Sequence, residues 1–428
     1  MTQNKSYALP IAMMFALFFM IAFVTGLPAP FGVIVKNQFG ASDFMSTLGF
    51  FANFIAYAFM GIPAGMLLER IGYKKTALLA VVVGFTGVGV QFLSGQVGSF
   101  NVYLAGAFIS GFSMCMLNTV VNPMLNTLGG GGKKGNQLIQ TGGSLNSVAA
   151  TIVPVLVGYL MGANAAERNI DKANPALFIA MGIFAMVFIV LYIMEIPEPR
   201  LIGKVKIKHE HSPLAFRHFI FGAVAIFMYV GIEIGIPHFA NLFMTTDPAN
   251  GGRGIDPTIA GSVVGTYWFL MMIGRIFGAS LASKFSSKAM LTSVSLLGLI
   301  FVLLAILLPV SSTVSMPVFR SDISFGFAHV PVGVMFLIFC GLCTSVMWGG
   351  IFNLAVEGLG KYSEAASGIF MVMVCGGGIL PLIQGAIADY TSYIASYWVI
   401  FFALVYMLFY ALIGSKNVNK DIPVEVTL

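Results

Sequence analysis

Charged side chains are scarce in this chain. Asp, Glu, Lys and Arg make up 9% of its 428 residues, whereas hydrophobic residues make up 58% and the mean hydropathy is +0.92. Ordinary globular domains carry about 25% charged residues. Because so few charges cannot cover the surface of a compact water-soluble protein of this length, the composition predicts a protein surrounded by lipid.

Cysteine and histidine are also scarce, which limits the chemistry open to the chain. Its four cysteines, Cys115, Cys340, Cys343 and Cys375, all lie in apolar segments, where buried thiols serve as small packing residues. His238 is the histidine placed well inside a predicted span, whereas His218 and His329 lie at span ends. No disulfide framework, metal-ligand spacing or pairing of a nucleophile with a base follows from these positions. We therefore expect neither an enzyme nor a bound metal or cofactor.

Long apolar runs, in contrast, are abundant. A membrane-spanning helix needs about 20 predominantly apolar residues, and within lipid a helix satisfies its backbone hydrogen bonds by itself. The sequence predicts twelve such segments, called spans 1 to 12 in chain order, at residues 8–35, 45–68, 76–95, 99–127, 138–162, 174–194, 215–244, 258–284, 288–310, 329–356, 363–388 and 392–415. The first is too long for the apolar core of a signal peptide and is expected to stay uncleaved.

The basic residues between the spans are distributed unevenly. If the N-terminus is inside, sixteen of the 22 Lys and Arg residues lie on the inner side and five on the outer side, while Arg275 lies within span 8. Because inner loops of membrane proteins are rich in Lys and Arg, this distribution predicts that both termini face the cytoplasm. An odd number of spans would mix the two groups. The net charge of +6 is therefore ascribed to membrane orientation, and no nucleic-acid partner is expected.

Features of spans 4 and 5 recur in spans 10 and 11. Asn122 in VVNPMLNTLG corresponds to Asn353 in IFNLAVEGLG, 231 residues later, and Pro154 and Pro381 are 227 residues apart. Internal repeats of this kind are typical of secondary transporters. We predict an all-α membrane protein with twelve transmembrane helices in two pseudo-symmetric six-helix halves, residues 1–195 and 215–428, joined by a basic cytoplasmic linker at 196–214.

The connection between spans 2 and 3 carries the most specific motif in the chain. It reads GMLLERIGYKK and contains Gly65, Glu69, Arg70, Gly72, Lys74 and Lys75. The spacing resembles the signature loop of the major facilitator superfamily, G-x-x-x-(D/E)-R-x-G-x-(R/K)-(R/K). We expect a gating role, in which Gly65 permits close helix packing and Glu69 and Arg70 pair across the cytoplasmic seam between the halves. A weaker copy, ASLASKFSSK, ends at Lys288.

Amide side chains recur along the predicted helices. Asn118 and Asn122 are four residues apart and share a face of span 4. Further amides are Gln140 and Asn146 in span 5 and Asn353 in span 10. Neutral amides beside an aromatic ring such as that of Trp348 suit the hydroxyls and the apolar face of a sugar. A single amide in a membrane helix more often makes a hydrogen bond to a neighbouring helix than to a substrate. The five amides together, however, predict a neutral polar substrate.

Glu233 is the acidic residue placed well inside a span. It precedes Pro237 by four residues in span 7, and proline leaves a backbone carbonyl without its helical donor. Because a carboxylate within the bilayer is costly, such residues mark ion or substrate sites. We expect Glu233 to bind a coupling ion or a substrate hydroxyl, with a structural hydrogen bond between helices as the alternative. His238 lies nearby and is a further candidate, with a packing or gating role as its alternative. An ionised Glu233 in the empty site would make closure costly, because occlusion would desolvate the charge, and binding of a proton or a sodium ion would let the loaded protein close.

Several stretches together resemble the fucose/proton symporter family, a sugar branch of the major facilitator superfamily. They are GIPAG at 61–65, NTVVNP at 118–123, YVGIE at 229–233 and IFNLA at 351–355, and the resemblance extends over nearly the whole chain. It implies import of a hexose or deoxyhexose by alternating access, coupled to a proton or a sodium ion. Many members carry glutamate at the position of Glu233.

The chain departs from that family at two positions. The fucose branch carries an acidic residue in span 1, where this chain reads LPAP at 27–30, and a glutamate at the position of Asn118. The resemblance therefore does not establish that fucose is the substrate or that this chain uses the family's proton site. A proton-coupled drug or metabolite exporter of the same fold and an uncoupled sugar uniporter are the alternatives.

The sequence also gives expectations about the partners, the oligomeric state and the membrane of this protein. The expected partners are a small sugar and membrane lipid, and because such folds need no second subunit we expect a monomer. The uncleaved first span fits a bacterial inner membrane.

Overall fold

The computed structural model describes residues 7–26, 43–130, 132–161, 170–198, 211–320, 324–419 and 421–424. Span 1 is Ala8–Gly26, spans 2 and 3 form Asp43–Val97, and spans 4 to 9 are Phe100–Leu128, Gly132–Met161, Ile170–Ile193, Arg217–Thr245, Pro257–Leu281 and Ser287–Leu307. Span 10 is Val332–Thr344 and Met347–Val356, span 11 is Ser363–Val372 and Gly376–Tyr390, and span 12 is Tyr397–Phe409 with a π-helical end, Tyr410–Gly414. Short 3₁₀ helices lie at Pro213–Ala215, Pro248–Asn250, Gly360–Tyr362 and Met373–Cys375.

The described helices account for the twelve spans. Within the described part of the chain, ten segments are long and apolar enough to cross a membrane. One of them, Leu48–Val97, has 50 residues and would be about 75 Å long if straight, more than twice the ~30 Å of a bilayer's hydrocarbon core. It therefore supplies spans 2 and 3, and span 5, a more polar helix of 30 residues, is the twelfth. The predicted architecture is confirmed.

Gly72 separates spans 2 and 3. Its φ of 82° and ψ of 176° interrupt an otherwise helical segment, and glycine adopts a positive φ without the steric penalty of other residues. The sequence predicted a loop from about residue 69 to 75, whereas the structure is helical on both sides of this one residue. That loop prediction was wrong because a single positive-φ glycine is enough to redirect the chain.

Spans 10 and 11 are interrupted, although each was predicted as one helix. Ser345 and Val346 separate the two segments of span 10, and the 3₁₀ turn Met373–Cys375 separates those of span 11. Three consecutive glycines follow the break in span 11, and glycine is a poor helix former. Span 10 has no glycine or proline at its break, so contacts from neighbouring helices must explain it.

A β-hairpin connects spans 9 and 10, which the all-α prediction did not include. Strand β1, Thr313–Phe319, pairs antiparallel with strand β2, Phe325–Pro331. The backbone N–H of Phe319 donates to Thr266 of span 8 at 2.8 Å. Exposed and buried residues alternate in both strands, and that period of two, with Val, Thr and Phe, is the sequence signal that indicates strands.

Side-chain caps mark the beginnings of spans 8 and 9. Asp256 accepts a hydrogen bond from the backbone N–H of Thr258 at 2.8 Å, which lowers the pKa of the Asp256 carboxyl. Ser286 accepts from the N–H of Ala289 at 3.2 Å. Such caps satisfy backbone donors that have no partner within the helix, so both helices start where the sequence supplies a capping side chain.

The chain divides into two compact units. The first comprises the described residues of Met1–Ala215, Gly358–Met373 and Lys420–Leu428, and the second comprises Phe216–Glu357 and Val374–Asn419. In the first unit the first segment of span 11 packs on span 2, and in the second unit the second segment packs on span 7. The halves 1–195 and 215–428 stay a prediction, and most of the 196–214 linker lies outside the described residues.

Candidate functional site

Glu233 is paired with a basic residue of the neighbouring helix. The Nη2 atom of Arg275, in span 8, lies 3.1 Å from Oε1 of Glu233, and the two side chains are 8% and 15% exposed, respectively. Arg275 was not among the predicted site residues. The reasoning that singles out a carboxylate within a span applies equally to a guanidinium, so its position in span 8 was the signal that could have found it.

This pairing changes the electrostatics of the site. The mechanism expected from the sequence considered only the charge of Glu233 in the empty protein, whereas Arg275 lies beside that charge. Burying two opposite charges together is tolerable, whereas removing one of them leaves an uncompensated charge. A proton that binds Glu233 therefore removes the negative charge that lies 3.1 Å from Arg275.

Arg275 also contacts spans 7 and 10. Its Nη2 donates to the hydroxyl of Tyr229 at 3.4 Å. Its Nε–H donates to the backbone carbonyl of Ser345 at 3.3 Å, and Ser345 lies at the break in span 10. One guanidinium thus joins span 8 to both the carboxylate of Glu233 and the interrupted helix.

Pro237 has a direct consequence for the same site. It lies inside span 7 and cannot donate to the carbonyl of Glu233 four residues earlier. The hydroxyl of Tyr267 donates to that carbonyl at 3.3 Å. Tyr267 also shares a hydrogen bond of 3.0 Å with Oγ1 of Thr344, the last residue of the first segment of span 10. We call Tyr229, Glu233, Tyr267, Arg275, Thr344 and Ser345 the Glu233 cluster.

Of the other residues predicted for this part of the site, Trp348 lies beside the cluster. Its ring centroid is 6.1 Å from that of Tyr229. His238 is half-buried, and its ring packs edge-on against Phe239 at 5.2 Å. Asn353 donates to the hydroxyl of Ser287 at 3.0 Å, in the first turn of span 9. That hydrogen bond joins two helices and leaves Asn353 outside the Glu233 cluster.

In the first unit the predicted amides of span 4 form a buried hydrogen-bonded pair. Nδ2 of Asn118 donates to the hydroxyl of Tyr57 at 3.2 Å and to the carbonyl of Met114 at 3.1 Å. Nδ2 of Asn122 donates to the carbonyl of Asn118 at 2.9 Å. Tyr57, Asn118 and Asn122, called the Asn118 group below, are all buried. Their neutral donors and acceptors are suited to hydroxyl groups rather than to ions.

Of the two predicted residues of span 5, one is buried and the other, Asn146, is half-buried. Gln140 is buried, and its backbone carbonyl accepts from the Ser144 hydroxyl at 2.9 Å. Nδ2 of Asn146 donates to the carbonyl of Phe18 in span 1 at 3.0 Å. Asn146 therefore contributes to the packing of span 5 against span 1, a role that amides commonly have between membrane helices.

The predicted gating motif takes part in a reciprocal contact between spans 3 and 6. The carboxylate of Glu198, after the end of span 6, accepts from the backbone N–H groups of Tyr73 and Lys74 at 2.8 and 2.9 Å. In return, Nζ of Lys74 donates to the carbonyls of Tyr192 and Met194 at 2.9 and 2.7 Å. Each helix end thereby receives the charge that its dipole favours. Glu198 was not predicted, because it is separated from the motif by more than 120 residues.

The remaining motif residues divide into packed and exposed positions. A Cβ added to Gly368 of span 11 would lie 3.1 Å from Cα of Gly65, so these two helices approach as closely as Gly65 was expected to allow. Glu69, Arg70 and Lys75 are exposed. The pairing of Glu69 and Arg70 across a cytoplasmic seam stays a prediction.

The weaker copy of the motif makes a matching contact in the second unit. Nζ of Lys288, at the start of span 9, donates to the carbonyl of Leu412 near the end of span 12 at 2.9 Å. Spans 9 and 12 of the second unit thus repeat the lysine contact that Lys74 makes between spans 3 and 6. This correspondence supports the predicted repeat.

Comparisons with known proteins agree with this architecture. The family model of the Major Facilitator Superfamily matches residues 14–380. The glucose/galactose transporter of Brucella abortus biovar 1 (strain 9-941) is 27% identical over 423 residues, which cover 97% of this chain and 96% of that protein. The L-fucose-proton symporter of Escherichia coli (strain K12) is 24% identical over 412 residues, which cover 90% of this chain and 88% of that protein.

A solved structure shares the fold. The crystal structure of the major facilitator transporter FucP in the outward conformation has a TM-score of 0.77 and 18% identity, and the match covers 96% of this chain and 100% of that one. The proteins that this chain resembles are transporters rather than enzymes.

Proposed function

The chain belongs to the Major Facilitator Superfamily, and on that basis we propose that it imports a hexose by alternating access, with a deoxyhexose as the second candidate substrate. The name of the Brucella relative, which aligns over nearly the whole length, supports a hexose. Asn118 supports it as well, because the fucose branch carries a glutamate at that position.

The observation that carries this proposal is that each unit, taken by itself, holds neutral polar groups beside aromatic rings. The Asn118 group offers amides and a tyrosine hydroxyl, and Trp348 lies beside Tyr229 at the Glu233 cluster. Sugars bind to such combinations, since hydroxyls need hydrogen bonds and the sugar ring needs an apolar plate.

For the coupling ion, the position of Arg275 favours a proton over sodium. Its Nη2 stands 3.1 Å from Oε1 of Glu233, so a sodium ion bound to that oxygen would lie beside a group of the same charge. A proton forms a covalent bond with the carboxylate oxygen and needs no shell of ligands. We therefore assign the coupling role at Glu233 to a proton taken from the outer aqueous solution.

The ion pair also explains how proton and sugar can move together. In the empty protein Glu233 and Arg275 balance each other, so the protein can close. A proton alone neutralises Glu233 and removes the negative charge beside Arg275, which disfavours closure. When a sugar is present as well, its hydroxyl oxygens accept hydrogen bonds from the guanidinium, and the loaded protein closes.

Uptake of labelled glucose, galactose and fucose into proteoliposomes tests this function, with an imposed proton gradient in one set and a sodium gradient in the other. We expect accumulation of a hexose only under the proton gradient. The E233Q variant should exchange sugar without accumulating it, whereas E195Q, which changes an exposed carboxylate after span 6, should behave as the wild type.

The other outcomes separate the parts of the proposal. Accumulation under the sodium gradient alone would contradict the proton, and concentrative uptake by E233Q would contradict the role of Glu233. Equilibration without accumulation would identify an uncoupled uniporter. No uptake of any hexose would contradict the substrate, and dye efflux would then support the exporter.

We further propose that the protein acts as a monomer in a bacterial inner membrane with both termini in the cytoplasm. The excess of Lys and Arg on one side of the predicted spans supports this orientation. A C-terminal fusion to a fluorescent protein that folds only in the cytoplasm should fluoresce, and a fusion to a periplasm-dependent phosphatase should be inactive. The reverse pair of results would contradict the orientation.

A further inference from the structure

The break in span 10 lies directly against span 8. A Cβ added to Gly274 would lie 2.6 Å from Cβ of Ser345, and one added to Gly278 would collide with the side chain of Val346. These two glycines flank Arg275 in span 8. Their lack of side chains allows the interrupted backbone to approach span 8 at the level of the guanidinium.

Arg275 makes two contacts there that a lysine could not make together. Its Nε–H reaches the carbonyl of Ser345 at 3.3 Å while its Nη2 reaches Glu233 at 3.1 Å. Arginine presents these donors in a rigid planar fork, whereas lysine is a single point charge on a flexible stem. The guanidinium therefore fixes the carboxylate of span 7 and the break of span 10 in one arrangement.

A second contact joins the same two helices. The Tyr267 hydroxyl contacts the carbonyl of Glu233 at 3.3 Å and Oγ1 of Thr344 at 3.0 Å. Glu233 is thus connected to Thr344 through Tyr267 and to Ser345 through Arg275. Beyond the break, the segment Met347–Val356 carries Trp348, whose ring lies near Tyr229.

We propose that Arg275 is a positioning residue that transmits the charge state of Glu233 to the break in span 10. While Glu233 is charged, the fork holds the carboxylate and the Ser345 carbonyl together. When Glu233 is neutral, the guanidinium loses its charged acceptor, its hold on the carbonyl weakens, and the segment Met347–Val356 becomes free to move. This inference rests on the proposed function, because it assigns the moving element that responds to the coupling proton.

Hydrogen–deuterium exchange of the full-length protein in detergent tests the link between the charge of Glu233 and the break in span 10, and it needs no substrate. The measured quantity is the exchange rate of the amides at residues 345–350, compared between the wild type and E233Q. We expect E233Q to exchange about tenfold faster, as for the loss of one charge-assisted hydrogen bond. In an R275K background the rate should already be raised, and E233Q should add less than about twofold.

Two controls keep the result interpretable. In an R253K background, which changes an arginine that donates to the Val310 carbonyl at 3.0 Å, E233Q should still give the full increase. Exchange of Ser287–Leu307 should stay constant in all variants, which excludes general unfolding. If R275K does not fold, G274A serves instead, because its added Cβ displaces Ser345 while both charges remain.

An equal effect of E233Q with and without the arginine fork would overturn the inference. The result is independent of the transport assay, since no sugar is added. Loss of the link in R275K together with proton-driven hexose uptake by the wild type would support both proposals. Loss of the link together with no hexose uptake would support the role of Arg275 and contradict the substrate.

Discussion

Glu233 and Arg275 are each tolerable within the membrane because the other is present. Their side chains are largely buried and 3.1 Å apart. Breaking a buried pair by removing one partner leaves a charge without compensation, whereas replacing both can be nearly neutral. The contribution of each residue to stability can therefore be measured only when single variants are compared with a variant in which both residues are changed.

The R275M variant should unfold more easily than the wild type by about 3 kcal/mol or more, because Glu233 loses its counter-charge. The double variant E233Q/R275M should recover most of that loss. Thermal denaturation of the purified proteins in detergent measures both, with R253M as the control for loss of an arginine elsewhere in the second unit. Additive destabilisation in the double variant would contradict the pairing.

Tyr267 and Pro237 offer a second test at the level of single residues. The Y267F variant removes the donor to the Glu233 carbonyl, and we expect a loss of about 1 kcal/mol in the free energy of unfolding. In a P237A background the restored backbone N–H supplies that donor, so Y267F should then have a smaller effect. A double-mutant cycle measures this, and an unchanged effect of Y267F in P237A would show that the tyrosine does not replace the missing donor.

Sequence reasoning identified part of this cluster. Glu233 stood out because a carboxylate in an apolar run is costly, and Pro237 because it removes a backbone donor. Thr344 and Ser345 belong to span 10 and look like ordinary span residues, and Tyr267 stood out only as a candidate aromatic plate for a sugar. Their roles depend on which faces of spans 7, 8 and 10 meet, and one sequence does not contain that information.

At the level of helices, the close contact between span 2 and the first segment of span 11 depends on glycine. A Cβ on Gly61 would collide with the backbone of Val372 and with the carbonyl of Gly368, and one on Gly368 would reach Gly65. The stretch GIPAG in the sequence indicated such an approach, but not its partner. Small residues at this spacing let the backbones of membrane helices pack closely.

The G61A variant should therefore destabilise the protein by about 1–3 kcal/mol, as overpacking does, and lower the rate of sugar uptake. Gly182 in span 6 has no atom near the position of an added Cβ, so G182A is the matched control and should change neither quantity. Thermal denaturation and initial uptake rates provide the measurements. Equal behaviour of the two variants would show that the close contact at Gly61 is unimportant.

The breaks in spans 10 and 11 are features that the hydropathy of the sequence does not predict. Both spans are apolar enough to be recognised along their whole length, since hydropathy averages over about 20 residues. The break at Ser345 is held by a side chain from span 8, which has no local signature. The hairpin between spans 9 and 10 did have a local signal, a period of two, but its strands are short.

At the level of the whole molecule, each of the two units has a lysine that donates to backbone carbonyls at the C-terminal end of a corresponding helix. Lys74 donates to carbonyls at the end of span 6, and Lys288 donates to a carbonyl at the end of span 12. A cation at a helix C-terminus is favoured by the unsatisfied carbonyls there. The repeat was visible in the sequence as a copied loop, whereas its physical meaning required the partners.

The N-terminal ends of the same helices are capped differently in the two units. Ser286, the residue just before span 9, caps that helix. Span 3 is instead capped by the carboxylate of Glu198, which follows the C-terminal end of span 6 in the chain. Spans 3 and 6 are therefore connected by two reciprocal contacts. Loss of either contact weakens the same pair of helix ends.

The E198A variant should lower the free energy of unfolding by about 1 kcal/mol, the usual effect of losing a cap. Its effect should add to that of K288M, because the two changes lie in different units and share no partner. Combined with K74M it should fall short of the sum, because Glu198 and Lys74 join the same two helix ends. Denaturation midpoints of the single and double variants measure this. Additivity in both pairs would contradict the reciprocal contact.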